Sequence, residues 1–161
     1  MSIEAVVENL KGKFAASVLE VAEFRGEITV IVKKEEIVAI CQYLKANEGF
    51  NFLTDLCGVD YLGKKADRFM VVYHLYNITT HERLRLKVAV AEQDATVDSV
   101  ASVWGTASWH ERECWDLMGI SFNNHPDLRR ILMPADWVGH PLRKDYPVQG
   151  PDRAPYQGRL T

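Results

Sequence analysis

The chain has 161 residues, 47% hydrophobic and 25% charged, with a formal net charge of −3 at pH 7; that suits one domain whose core needs no disulfide or metal staple. The slightly acidic balance gives no sign of a nucleic-acid binder. No stretch approaches the roughly 20 apolar residues of a membrane helix, and Met1-Ser2-Ile3-Glu4 lacks the basic-then-apolar pattern of a secretory signal.

In chain order, Ile3, Val6, Val7, Leu10 and Phe14 recur at helical spacing. Residues 17–24 and 27–33 read as two strands joined by a tight turn at Arg25-Gly26. Ile37, Ile40, Cys41 and Leu44 make one apolar helical stripe. Residues 51–61 and 68–78 read as strands flanking the loop Gly63-Lys64-Lys65. The clearest strand is 83–90, where Leu84, Leu86, Val88 and Val90 alternate with Arg83, Arg85 and Lys87. One wet and one dry face predict an antiparallel sheet. The order α-β-β-α-β-β-β-α predicts an α+β fold with helices on the dry face. Ser108-Trp109-His110-Glu111 fits a capping box opening the last helix, and Gly119 supplies its left-handed stop.

All six prolines lie between Pro126 and Pro155, and proline interrupts helices and central strands. The chain therefore divides into a regular body, 1–119, and an extended tail, 120–161. The body carries a charge of −5 and the tail +2. Ile131, Leu132, Met133, Trp137, Val138 and Leu142 are too apolar for a disordered segment. A basic, apolar tail without periodicity predicts docking onto another chain.

No nucleophile elbow, phosphate loop or dinucleotide fingerprint is present. Cys41, Cys57 and Cys114 are odd in number and widely spaced, which fits free thiols in a reducing cytosol and supplies no iron–sulfur cluster. His110 with Cys114, and His125 and His140 in the tail, are the remaining metal candidates, although bland packing is the ordinary role of such isolated residues. Glu111-Arg112-Glu113-x-x-Asp116 has an ordinary reading too, a solvated face with Arg112 and Asp116 paired four apart. Trp104, Trp109 and Trp115 stand against it, since tryptophan beside charge marks interfaces. Arg129 and Arg130 match a carboxylate-rich partner surface.

Three linked blocks carry a resemblance. They are Glu111-Arg112-Glu113-x-Trp115-Asp116-x-x-Gly119-Ile120-x-Phe122, then His125-Pro126-Asp127-Leu128-Arg129-Arg130-Ile131-Leu132, then Gly139-x-Pro141-Leu142-Arg143-Lys144-Asp145-Tyr146. Together they resemble the 30 kDa subunit family of proton-pumping NADH:quinone oxidoreductase, respiratory complex I. The resemblance implies a non-redox subunit of the peripheral arm on the cytoplasmic side of the bacterial inner membrane. Its tail would wrap the 49 kDa-type quinone-site subunit, while partner subunits hold FMN and the iron–sulfur clusters. It implies no catalytic, cofactor or metal residue in this chain. The expected partner interface comprises Glu111, Arg112, Glu113, Trp115, Asp116, His125, Pro126, Arg129, Arg130, Trp137, Leu142, Arg143, Lys144, Asp145 and Tyr146. The chain stops soon after the third block, so the partner is expected to be a separate polypeptide. Related complexes offer a second reading: photosynthetic ferredoxin-fed enzymes, cofactor F420 dehydrogenases and membrane-bound hydrogenases. A third is a free-standing metal protein.

Overall fold

A computed structural model describes residues 2–150; residues 151–161 of the expected tail lie outside it. The elements are α1 (Ile3–Lys13), β1 (Val18–Phe24), β2 (Glu27–Val32), α2 (Ile37–Asn47), β3 (Phe52–Asp60), β4 (Phe69–Tyr76), β5 (Arg83–Val90), β6 (Thr96–Asp98), α3 (Ala107–Met118) and β7 (Ser121–Asn123). Single 3-10 turns occupy Lys34–Glu36 and Glu92–Asp94.

The fold is α+β, built on a five-stranded sheet in the order β1-β2-β5-β4-β3. The β1–β2 hairpin turns through Arg25 (φ 54°) and Gly26 (φ 77°), the paired positive dihedrals of a tight type I′ turn. β3, β4 and β5 form an antiparallel meander. β2 and β5 run parallel, so the sheet is mostly rather than wholly antiparallel. The alternation of β5 sets which side chains point inward, and either neighbour direction satisfies that pattern.

The dry face is as the alternation predicts. Leu84, Leu86, Val88 and Val90 are buried, opposite Leu75, Tyr73, Val71 and Phe69 of β4. Val6, Val7 and Leu10 of α1 and Ile37, Ile40 and Leu44 of α2 join this core. α3 crosses β3 at Gly58, where a Cβ would meet Cys114 Sγ at 2.9 Å. Each such aliphatic side chain stabilises the fold by about 1.5–3 kcal/mol. All three cysteines are free thiols, two of them buried.

Two expectations change. α3 begins at Ala107 after Thr106, with no side-chain cap, so Ser108-Trp109-His110-Glu111 is not a capping box. Glu111 turns inward instead, because two free donors of the preceding loop meet it there. The body also runs past Gly119: Ile120 and Phe122 are buried, and β7 pairs in parallel with β6. Strands of three residues carry too little periodicity to be read. The boundary between body and tail therefore lies after Asn123.

Candidate functional site

α3 is buried on two sides. Ala107, Glu111, Cys114 and Met118 recur at helical spacing and are all buried, on the stripe that meets the sheet. Asp116 lies well around the helix from that stripe and is equally buried. The tail covers it.

Glu111 Oε2 accepts a hydrogen bond from Ser99 Oγ at 2.6 Å, and Oε1 accepts one from the Val100 amide at 2.7 Å. Burial pushes its carboxyl up to about 7, and these two donors oppose that shift. His125 Nε2 stands 3.8 Å from Oε2 but sits closer to the Ser108 carbonyl, at 3.0 Å. His125 Nδ1 accepts from the Asp127 amide, which leaves Nε2 as the donor.

Asp116 gathers the second block. Its Oδ1 accepts from Arg130 Nη1 at 2.6 Å. Its Oδ2 accepts the amides of Ile131, Leu132 and Met133 at 3.1, 2.8 and 2.8 Å. Burial raises its carboxyl, yet these amides and the guanidinium prevail and hold it below the ordinary range. Arg112 does not pair with Asp116; its guanidinium donates to the carbonyls of Arg129 and Arg130. Arg130 also donates to the carbonyls of Trp137 and Gly139, and so binds the second block to the third.

The third block caps the end of α3. The last turn of a helix leaves carbonyls without intrahelical donors, at the negative end of the dipole. Asp116 O receives His140 Nδ1 at 3.0 Å, Leu117 O receives the Leu142 amide at 2.9 Å, and Met118 O receives Arg143 Nε at 2.7 Å. Gly119 (φ 73°) is the left-handed stop foreseen from the sequence, but the tail adds a second reason for glycine. A Cβ there would collide with Arg143 Nη2 and lie 2.5 Å from His140 Cδ2.

Arg68, just before β4, and Asp60, at the end of β3, were not among the expected site residues. Arg68 makes a two-pronged pair with Asp60, Nε to Oδ1 at 3.0 Å and Nη2 to Oδ2 at 2.8 Å. It makes another with Asp145, at 2.6 and 3.1 Å, and reaches Glu92. The Lys144 amide donates to Asp60 Oδ2 at 2.8 Å. Arg68 holds the Asp60 carboxyl down to about 2, against the effect of burial, with help from the Lys144 and Leu62 amides. Both guanidiniums, Arg68 and Arg143, lie close to the centre of the Phe69 ring, at 4.9 and 5.1 Å. A charged residue at a strand entrance looks like a solvated edge in sequence; only its partners from distant segments mark it.

The expected interface residues therefore separate. Glu111 and Asp116 are fully buried in this chain and present no surface. Arg130 and Arg143, expected at a partner interface, direct their donors within this chain instead, both to the end of α3 and Arg130 also to the Trp137 and Gly139 carbonyls of the tail; the uncapped end of α3 is nearer and needs donors. Lys144 and Asp145 meet Asp60 and Arg68. Glu113, Pro126 and Arg129 are exposed, with Arg129 held by Asp127 at 2.9 Å. Trp115, Trp137 and Tyr146 are half-buried. Leu132, Val138, Leu142 and Val148 of the tail and Trp109 of α3 are large exposed apolar side chains. Trp104 is instead a core residue whose Nε1 donates to the Phe50 carbonyl.

Of the metal candidates, His110 faces Asp55 at 3.6 Å, Cys114 packs under β3, and both tail histidines bond backbone carbonyls. Among the described residues, no three His, Cys, Asp or Glu side chains gather where a metal ion would fit. No helix among them is long and apolar enough to cross a membrane.

Residues 30–152 match the family described as respiratory-chain NADH dehydrogenase, 30 Kd subunit. The chain belongs to that family. It is 62% identical over 155 residues to the NADH-quinone oxidoreductase C subunit of Geobacter sulfurreducens, covering 96% of each chain. It is 63% identical to the same subunit of Geotalea uraniireducens, covering 96% of this chain and 94% of the relative. In structure it is similar to the trypsin-resistant fragment of Nqo5, with a TM-score of 0.71 and 34% identity over 80% of this chain and all of that one. The membrane-bound sulfane sulfur reductase, an archaeal respiratory membrane complex, contains a chain of the same fold, with a TM-score of 0.70 at 21% identity over 90% of this chain and 85% of that one.

Proposed function

We propose that this chain is a non-redox structural subunit of the peripheral arm of a proton-pumping NADH:quinone oxidoreductase, on the cytoplasmic side of the inner membrane. It supports the 49 kDa-type quinone-site subunit while electrons pass from NADH, through FMN and iron–sulfur clusters held by other subunits, to quinone. The observation that carries this reading is the tail's division of labour. Arg130, His140 and Arg143 turn inward to the body, while Leu132, Val138, Leu142 and Val148 face outward. Contiguous exposed apolar surface marks docking sites, and on this reading these four side chains contribute to one. Family membership and the naming of close relatives as NADH-quinone oxidoreductase subunits support the choice of complex.

The test replaces Leu142 by Glu and Val138 by Asp in the native host, and measures how much of this chain co-purifies with the quinone-site subunit. The expected result is a loss of co-purification with the isolated variant still folded. Full assembly of the double variant would refute docking through this surface. The second reading is the equivalent subunit of a related energy-converting complex, for which the shared fold of the archaeal respiratory complex gives some ground. Identification of the subunits in the purified native assembly separates the two, since NADH- and FMN-binding partners belong to the first alone.

A further inference from the structure

We propose that Asp60 and Arg68 form a clasp that holds the segment 137–146 on the body before any partner is met. The third block would then reach the complex as a folded platform, not as a free tail. The proposal concerns the isolated chain and stands whether or not the docking partner is the one named above.

The clasp is built from the least exposed charges of the sheet's end. The Arg68 side chain is 6% exposed and that of Asp60 is fully buried. Five N–H groups on a guanidinium form a rigid planar fork, and Arg68 directs that fork to Asp60, Asp145 and Glu92. Two of these carboxylates belong to the body and one to the tail. Bidentate pairs of this kind are roughly twice as strong as neutral hydrogen bonds and fix orientation. Asp60 is shared as well, because Oδ2 accepts both Arg68 Nη2 and the Lys144 amide. The tail is thus gripped on both sides of the Lys144–Asp145 peptide.

Slightly upstream, the Leu142 amide and Arg143 Nε occupy the free carbonyls of Leu117 and Met118. One end of the segment is therefore sewn to α3 and the other to the β3–β4 end of the sheet. Releasing it would leave the helix carbonyls without donors at one end and remove the Asp145 pair from Arg68 and the Lys144 amide from Asp60 at the other, so the strap stays closed while the body is folded. A partner then meets side chains already placed, and loses less conformational freedom on binding than it would with an unstructured tail.

The test is amide exchange on the isolated full-length chain, wild type and Asp145→Ala. Asp145 is 53% exposed, so its loss leaves the core intact, and the β4 amides of Val71 and Tyr73 report on the fold. The wild-type Leu142 and Lys144 amides should exchange at least about tenfold more slowly than unstructured amides, by local opening of the strap. Asp145→Ala should reduce that protection several-fold and leave β4 unchanged. Unprotected Leu142 and Lys144 amides in the wild type would overturn the proposal. So would equal protection in both proteins, because Arg68 would then not hold the segment through Asp145. A separate loss of binding to the quinone-site subunit, with these amides still protected, would count against the docking partner and not against the clasp.

Discussion

Glu111 and Asp60 are both buried carboxyls at the ends of the body, and they titrate in opposite senses. Burial lifts Glu111 from 4.5 to about 7. Its contribution to stability is therefore complete below about pH 4.5 and is lost as the pH rises through 7. Arg68 depresses Asp60 from 3.8 to about 2, so its contribution is present above about pH 4 and is lost as the pH falls toward 2. Glu111→Gln removes the first titration while keeping an acceptor for the Val100 amide. Denaturant midpoints from about pH 4.5 to 8 should then lose their Glu111-dependent decline, and a slope equal to that of the wild type would contradict the assignment. At Asp116 the loss is larger. Asp116→Ala removes the carboxylate partner of Arg130 and the acceptor of three backbone amides, and removal of one partner of a buried pair costs about 3–5 kcal/mol. Urea unfolding measures this directly; a cost under about 1 kcal/mol would mean that the second block is held by something else.

On the scale of single elements, β5 tests which face of the sheet is dry. Leu86 is fully buried between Val30 and Tyr73, so Leu86→Ala should cost about 2–5 kcal/mol. Arg85, on the other face, pairs with exposed Glu27 and donates to Thr29. Pairs of that kind contribute little, and Arg85→Ala should cost well under half as much in the same unfolding experiment. Equal losses would reject the assigned faces. The end of α3 offers a second test. Gly119→Ala meets both a positive φ and the tail's side chains. It should destabilise by more than about 1 kcal/mol and loosen the strap, seen as faster exchange at the Leu142 amide.

For the whole molecule, the corrected boundary changes what truncation does. A chain cut after Gly119 loses Ile120 and Phe122 from the core, together with the donors to Asp116. Each large core side chain is worth several kcal/mol, against a total stability of about 5–15 kcal/mol. The shortened chain should be largely unfolded by circular dichroism, where reading 1–119 as a complete domain predicts a folded body. Spectroscopy of the purified full-length chain addresses its chemistry: on the proposed structural role it should show no flavin or iron–sulfur absorption and no NADH oxidation. A visible spectrum from either cofactor would refute that role.

The amino-acid sequence by itself determined the order of the helices and long strands, the dry face of β5, the hairpin at Arg25-Gly26, the stop at Gly119, and the family. These are local matters, set by spacing, turn chemistry and motif order within a few dozen residues. Only the tertiary structure decided that β2 and β5 run parallel, because alternation specifies which side chains face inward and not the direction of the neighbouring strand. It likewise decided where the charges go. Glu111 and Asp116 look solvated in sequence, and Asp60 and Arg68 look like an ordinary strand edge, because a charged residue is marked as buried only by its partners. Those partners stand far along the chain: Arg130 is 14 residues from Asp116, and Asp145 is 77 residues from Arg68. No periodicity spans such distances, and folding brings these residues together because the free carbonyls of α3 and the nearly buried guanidinium of Arg68 must be satisfied within the fold.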